Sequence, residues 1–86
     1  MIYKNYLGYK VFENGQVFRK DGKILIPQHY NGRYFFEINV NEKRKRISCA
    51  VFVLMAFEIF PNKLKSKVFR KDGDKLNCSL SNINWI

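Results

Sequence analysis

Hydrophobic and polar residues alternate along much of the first half of the chain. The longest alternating run is Tyr34 to Val40, in which every second residue is apolar and the intervening positions are Phe35, Glu37 and Asn39. A period of two predicts a strand with one buried face. Shorter runs predict further strands at Tyr9 to Phe12, Gln16 to Arg19 and Ile24 to Ile26. Asn14-Gly15, between the first two of these strands, is a strong hairpin signal. After a polar turn, Asn41 to Lys45, we expect Arg46-Ile47 to pair back onto the longest strand.

The pattern changes at Ser48, whose hydroxyl suits a helix N-cap. Residues 49 to 60 predict one helix, which stops before Pro61. No side chain from Cys49 to Phe57 is charged, and the helix is too short to span a bilayer. We expect Phe52 and Ile59 to face the sheet and Met55 to lie nearer the surface. Two hypotheses stay open: complete burial, or one face that meets a second copy or a protein partner.

The sequence therefore predicts an α+β domain in which small antiparallel sheets and hairpins surround one central apolar helix. With 86 residues, the chain suffices for a single domain. We divide it into a strand-rich module, residues 1–47, and a helix with a C-terminal hairpin, residues 48–86.

Charge points to a polyanionic partner. The formal net charge is +9, from 16 Lys and Arg against 7 Asp and Glu, and the basic excess is greater in the second half. Such a field favours nucleic acid, either DNA or RNA, over a role in solubility alone. Tyr30, Tyr34 and Phe35 are candidates for stacking on bases. The candidate binding residues are Arg19, Lys20, Arg33, Lys43, Arg44, Lys45, Arg46, Arg70, Lys71 and Lys75.

No cofactor or structural metal is expected. Two isolated cysteines and one histidine are too few ligands for a structural zinc site. His29 lies in a turn-like stretch, and we interpret it as an exposed loop residue. Cys49 and Cys78 follow no secretory segment, which favours the reducing cytoplasm.

One hexapeptide occurs twice. Residues 17–22 and residues 68–73 both read VFRKDG. Each copy predicts a short strand that enters an Asp-Gly turn, where Arg and Lys stand beside free backbone N–H groups. Such turns suit contacts with phosphate.

The last twenty residues, KVFRKDGDKLNCSLSNINWI, carry Asp72-Gly73-Asp74, then Asn77, and close on Asn82-Ile83-Asn84-Trp85. This order resembles the HNH homing endonucleases of phages and group I introns. In that family a histidine precedes the Asp-Gly turn, and Arg70 stands there in this chain. Upstream, SCAVFVLMAF is similar to a family stretch that begins with a histidine, and Ala50 takes that position. Residues 9–40 are similar to the strand-rich module that precedes such domains, and residues 9–17 stand in place of its motif.

The resemblance implies a ββα-metal-like hairpin in a protein that binds nucleic acid. In such nucleases the histidine takes a proton from water, and a divalent metal stabilises the scissile phosphate. Arginine holds phosphate but accepts no proton. The family's last metal-binding helix would follow Trp85, and the sequence ends at Ile86. We therefore expect a catalytically inactive remnant in which Arg70 clamps a phosphate. Its remnant loop contains Asp72, Asn77 and Asn82, and we expect the two asparagines to tie the loop together.

Two alternatives belong to other classes. The first is a phage-encoded inhibitor of a host defence nuclease, like an anti-CRISPR protein, that docks on the enzyme or its guide RNA. The second is an active nicking enzyme with a metal at Asp72 and Asp74. A homodimer through the apolar helix is a further expectation, as is a location in the cytoplasm of a bacterial host cell. Membrane binding is not expected.

Overall fold

A computed structural model describes residues 1–61 and 67–86. Within these ranges three antiparallel sheets accompany a single helix, which confirms the predicted α+β class. The first sheet contains β1 (Tyr3–Tyr6), β2 (Tyr9–Phe12) and β3 (Val17–Phe18). The second contains β4 (Gln28–Tyr30), β5 (Arg33–Val40) and β6 (Lys43–Ser48). Helix α1 (Cys49–Ala56) follows directly, and β7 (Val68–Arg70) pairs with β8 (Ile83–Trp85).

Helix α1 is the centre of the core. It contacts β1, β2, β5, β6 and β8, and Phe52 is fully buried among aromatic neighbours. The Phe52 ring centroid lies 5.2 Å from that of Tyr6, 5.9 Å from that of Tyr9 and 5.8 Å from that of Phe36. Along the helix only Val51 and Met55 are partly exposed. The helix is therefore apolar on all sides because sheets and hairpin cover nearly all of it.

The helix is shorter than its sequence predicts. Ser48 caps its start as expected, since its Oγ accepts a hydrogen bond from the Val51 N–H over 3.5 Å. The predicted end at residue 60 is wrong, because Glu58 adopts a left-handed conformation with φ of 59°. The Ile59 N–H then bonds to the Leu54 carbonyl over 2.9 Å, and the Glu58 N–H bonds to the Met55 carbonyl over 3.0 Å. This Schellman arrangement ends the helix without a glycine. Ile59 consequently turns outward, which corrects its predicted position against the sheet.

Three tight turns, each with positive φ at both central residues, join neighbouring strands of the first and second sheets. Leu7-Gly8 joins β1 to β2, Asn31-Gly32 joins β4 to β5, and Asn41-Glu42 joins β5 to β6. Such two-residue turns match the twist of the paired strands. Strand β6 begins at Lys43, so the predicted five-residue turn Asn41 to Lys45 is wrong. The predicted loop position of His29 is also wrong, because His29 belongs to β4, although its side chain is exposed as expected.

The predicted strand Ile24 to Ile26 does not form. Ile24 makes a single isolated bridge with Phe18, and the Leu25 N–H bonds to the Val17 carbonyl over 2.8 Å. Ile26 is largely exposed, and the next residue, Pro27, has no N–H with which to continue a ladder.

The C-terminal segment is docked onto the β2–β3 hairpin. The Leu80 N–H bonds to the Glu13 carbonyl over 2.8 Å, and Ser79 Oγ donates to the Asn14 carbonyl over 3.1 Å. Gly15 has φ of +92°, and a Cβ there would lie 2.8 Å from the Cys78 carbonyl carbon. The turn thus approaches the Cys78 backbone more closely than any side chain permits. Residues from both halves of the sequence share one core.

In the described part of the chain, no helix has the length and apolar character that crossing a membrane requires.

Candidate nucleic-acid interface

A groove of about 630 Å³ lies between the second sheet and the β7–β8 hairpin. We call it the basic groove, because cationic side chains from three segments line it. Its remaining lining includes the aromatic residues Tyr30, Tyr34 and Phe35 and the Ser48 hydroxyl, and no carboxylate is among the described residues that line it. The cationic side chains belong to Arg33, Arg46, Lys67, Arg70 and Lys75.

The pairing of β5 with β6 divides the basic run at residues 43 to 46. Glu37 lies opposite Arg46 and Asn39 lies opposite Arg44, so both arginines stand on the sheet face that carries Phe35. Lys43 and Lys45 lie opposite Val40 and Ile38, and successive side chains point to opposite faces. The run therefore supplies one residue to the lining of the groove, Arg46.

The groove face of the second sheet holds one carboxylate close to Arg46. Glu37 lies 3.6 Å from Arg46 Nε and 3.9 Å from an Arg44 terminal nitrogen. Both arginine side chains are largely exposed, so these pairs stabilise the fold little. The Arg46 guanidinium also lies 5.1 Å from the centroid of the Phe35 ring, a cation–π contact that orients it along the sheet.

Arg70 lies at the inner side of the groove. Its Nε is buried and has no hydrogen-bond partner among the described residues, which is costly unless a ligand supplies one. At the other end of the groove, Lys75 Nζ donates to the Gly32 carbonyl over 3.0 Å. Lys75 therefore ties the C-terminal loop to the β4–β5 turn while its charge remains at the groove.

Two buried thiols, Cys49 and Cys78, lie close to Arg70. Burial, with a smaller contribution from Cys78, raises the pKa of the Cys49 thiol to about 12. Burial also raises the pKa of Cys78, and the nearby Arg70 guanidinium opposes that rise. Both thiols therefore stay protonated at neutral pH, so neither of them neutralises the positive charge of Arg70.

The predicted remnant loop is a closed hydrogen-bond network. Asp72 accepts bonds from the Asp74 N–H over 2.8 Å, from Asn77 Nδ2 over 2.8 Å and from Asn82 Nδ2 over 2.9 Å. These donors lower the pKa of Asp72, with the Asn77 amide as the largest contributor. Lys71 is exposed beside this loop and does not line the basic groove.

The two carboxylates of this network already accept hydrogen bonds from protein donors. The Asp72 oxygens face three donors, and Asp74 Oδ1 accepts the Leu76 N–H over 3.0 Å. Across residues 1–61 and 67–86, no group of three or more His, Cys, Asp and Glu side chains is placed to hold a metal ion.

Both copies of the hexapeptide form the same turn. The Gly22 N–H bonds to the Arg19 carbonyl over 3.0 Å, and the Gly73 N–H bonds to the Arg70 carbonyl over 3.3 Å. In each copy the aspartate Oδ1 accepts the N–H two residues later. The first copy lies elsewhere, since Arg19 and Lys20 line a depression on the first sheet. Arg19 is also paired with Asp21 over 3.2 Å.

The structure thus joins four of the ten predicted binding residues, Arg33, Arg46, Arg70 and Lys75, in one groove. Sequence analysis missed Lys67 and the Ser48 hydroxyl. Lys67 directly precedes β7, and a spacing of three residues from Arg70 gives no strand-period signal that the two side chains share a groove.

Comparisons with known proteins give one informative match. No family model matches the sequence, and no curated protein matches it significantly. A solved structure described as "DNA binding and cleavage by the HNH homing endonuclease I-HmuI" is similar over 100% of this chain, with a TM-score of 0.80 and 26% sequence identity. This chain spans 52% of the length of that one. The protein therefore has the fold found in an HNH homing endonuclease.

Proposed function

We propose that this protein binds nucleic acid through the basic groove and does not cleave it. The observation that carries the proposal is the convergence of five cationic side chains on one groove without a lining carboxylate. Phosphate contacts from Arg and Lys supply most of the sequence-independent affinity for nucleic acid. The similar solved structure is of a DNA-binding enzyme, which supports a nucleic-acid ligand for this fold.

Arg70 is the proposed phosphate clamp. Its Nε is buried without a partner among the described residues, and its guanidinium can offer paired N–H donors to a phosphate. Aromatic rings at Tyr30, Tyr34 and Phe35 give the groove apolar walls beside its charges. A nucleic-acid strand, with apolar sugar carbons and anionic phosphates, complements this apolar and cationic lining.

We propose that the protein does not cleave nucleic acid because of the residues at two positions and the hydrogen bonds of two carboxylates. Arg70 and the fully buried Ala50 stand where the resemblance places histidines, and neither accepts a proton. The Asp72 and Asp74 carboxylates are engaged in turns, which argues against the nicking enzyme with a metal at these residues. A phage or mobile-element origin is part of the proposal and rests on the resemblance alone.

The structure gives less support to docking through the helix. Because α1 leaves only Val51 and Met55 partly exposed, it offers little apolar area to a second copy or a host nuclease. We therefore do not propose the inhibitor as the main function. An inhibitor that bound guide RNA would use the same basic groove.

Two assays on one preparation test the proposal. In a gel shift at low salt, random-sequence duplex should be retarded. Incubation with supercoiled plasmid and Mg²⁺ or Mn²⁺ should leave the plasmid intact. Nicking that co-purifies with the protein and disappears in Asn77→Ala, with unchanged circular dichroism, would overturn the non-catalytic assignment. Failure to shift any duplex or single strand at low salt would overturn the binding assignment.

A further inference from the structure

The outer face of the first sheet carries a row of three aromatic rings. Tyr3 lies opposite Phe12 in the β1–β2 pair, and their ring centroids are 5.3 Å apart. The Phe12 and Phe18 centroids are 5.4 Å apart across β2 and β3. We call Tyr3, Phe12 and Phe18 the aromatic row. Each strand of the sheet contributes one ring.

This row faces away from the core. Val11 and Val17 are fully buried, and Tyr9 packs against Phe52 on that same inner side. Since side chains alternate along a strand, Lys10, Phe12 and Phe18 point outward. Tyr3 is 44% exposed even though it contacts a neighbouring ring.

Basic side chains surround the row. A depression of about 530 Å³ is lined by Phe12, Phe18, Lys10, Arg19 and Lys20 together with Asn5, Gly8 and Gly22. No carboxylate is among these described lining residues. Lys10 Nζ lies over the Tyr3 ring, 5.2 Å from its centroid, so a cation covers one face of this exposed ring. The first VFRKDG copy supplies Arg19 and Lys20 to this lining.

Aromatic contacts between paired strands stabilise a sheet, and this would explain why the rings touch. It would not explain why Lys10, Arg19 and Lys20 surround them. Tyr3 is exposed, and Phe12 and Phe18 are partly exposed. Outward-facing rings on a sheet that are flanked by Lys and Arg offer stacking to bases and ionic contacts to phosphates. Bases within a duplex are stacked on one another and are not free to stack on protein. The occupant must therefore present unpaired bases.

We infer that the outer face of the β1–β2–β3 sheet binds single-stranded nucleic acid, with bases stacked on the aromatic row and phosphates held by Lys10 and Lys20. This site is separate from the basic groove, and it stands whether or not that groove binds duplex.

Fluorescence anisotropy with labelled single strands tests this site. The probes are oligothymidylate, oligouridylate and an abasic strand of equal length, with a random duplex in parallel. Tyr3→Leu and Phe18→Leu keep apolar area but remove the ring. The control is Phe69→Leu, because Phe69 is 49% exposed on β7 and lies outside both binding surfaces.

Each ring variant should bind the two base-containing strands roughly five-fold to a hundred-fold more weakly than the Phe69→Leu control does. Affinity for the abasic strand and for duplex should stay unchanged, as should the urea midpoint relative to the control. Equal binding of abasic and base-containing strands by the wild type would overturn the inference, because the face would then be a general polyanion surface. Unchanged single-strand affinity in both ring variants would overturn it as well.

Discussion

Asn82 and Asp72 exchange two hydrogen bonds. Asn82 Nδ2 donates to Asp72 Oδ1 over 2.9 Å, and the Asp72 backbone N–H donates to Asn82 Oδ1 over 3.0 Å. Asn82 is only 6% exposed, and its Nδ2 also donates to the Asn77 carbonyl over 2.9 Å. One amide thus joins the end of β7, the middle of the loop and the start of β8. These residues hold the loop together, which agrees with the structural role that the sequence predicts for the asparagines.

Replacing Asn82 by alanine should destabilise the protein by roughly 1 to 3 kcal/mol, because it removes three part-buried hydrogen bonds. Urea denaturation followed by tryptophan fluorescence measures this loss. Ser81→Ala, at an exposed neighbouring position, is the control and should change the unfolding free energy little. Equal effects of the two substitutions would show that the amide does not hold the loop.

Acid should weaken the loop through Asp72. Its pKa is lowered in the folded protein, so the folded state favours the ionised carboxylate. The resulting stability is complete above the unfolded-state pKa, near about 3.9, and is lost as pH falls through the lower folded-state pKa. Urea midpoints from pH 6 to pH 2 should fall less steeply for Asp72→Asn than for the wild type. Parallel curves would contradict this role.

Gly15 should tolerate a side chain less well than Gly22. Both have positive φ, +92° and +86°, so alanine strains the backbone at either position by roughly 1 to 2 kcal/mol. At Gly15 the new Cβ would also meet the Cys78 backbone at 2.8 Å, whereas Gly22 has nothing within 4 Å. In thermal denaturation, the melting temperature of Gly15→Ala should be clearly lower than that of Gly22→Ala. Equal melting temperatures would mean that the C-terminal segment is not docked on this turn.

The helix gives a test of core against surface. Phe52→Ala should cost roughly 3 to 5 kcal/mol, since it empties the centre of the aromatic cluster. Met55→Glu should be milder, because Met55 is partly exposed. Urea denaturation and size-exclusion chromatography compare the two variants. Complete unfolding by Met55→Glu would show that this side chain is buried as deeply as Phe52.

Local patterns predicted the long strand, the N-cap at Ser48 and the burial of Phe52, because alternation and capping act over a few residues. They did not predict the helix end, since Glu58 adopts a left-handed conformation that is more typical of glycine. They also missed β1 and β4, whose strands are short and mostly polar and depend on tight turns at Leu7-Gly8 and Asn31-Gly32.

The candidate site was predictable in composition but not in arrangement. Four consecutive basic residues at 43 to 46 form the most conspicuous charge run, yet strand pairing directs Lys43 and Lys45 away from the groove. Arg33 is far in sequence from Lys67 and Arg70, and only the approach of the β7–β8 hairpin to the second sheet unites them.

The salt dependence of duplex binding tests groove binding most directly. We compare the wild type with Arg33→Ala/Lys67→Ala, which removes two exposed groove cations, and with Lys4→Ala/Lys23→Ala, which removes two exposed lysines that do not line the groove. Affinity for a random duplex is measured over a salt series. The groove variant should flatten the slope of log affinity against log salt by about two units, at roughly 0.9 unit per lost phosphate contact, while the control keeps the wild-type slope. Equal slopes for the wild type and the groove variant, or an equal change in the control, would contradict binding through the basic groove.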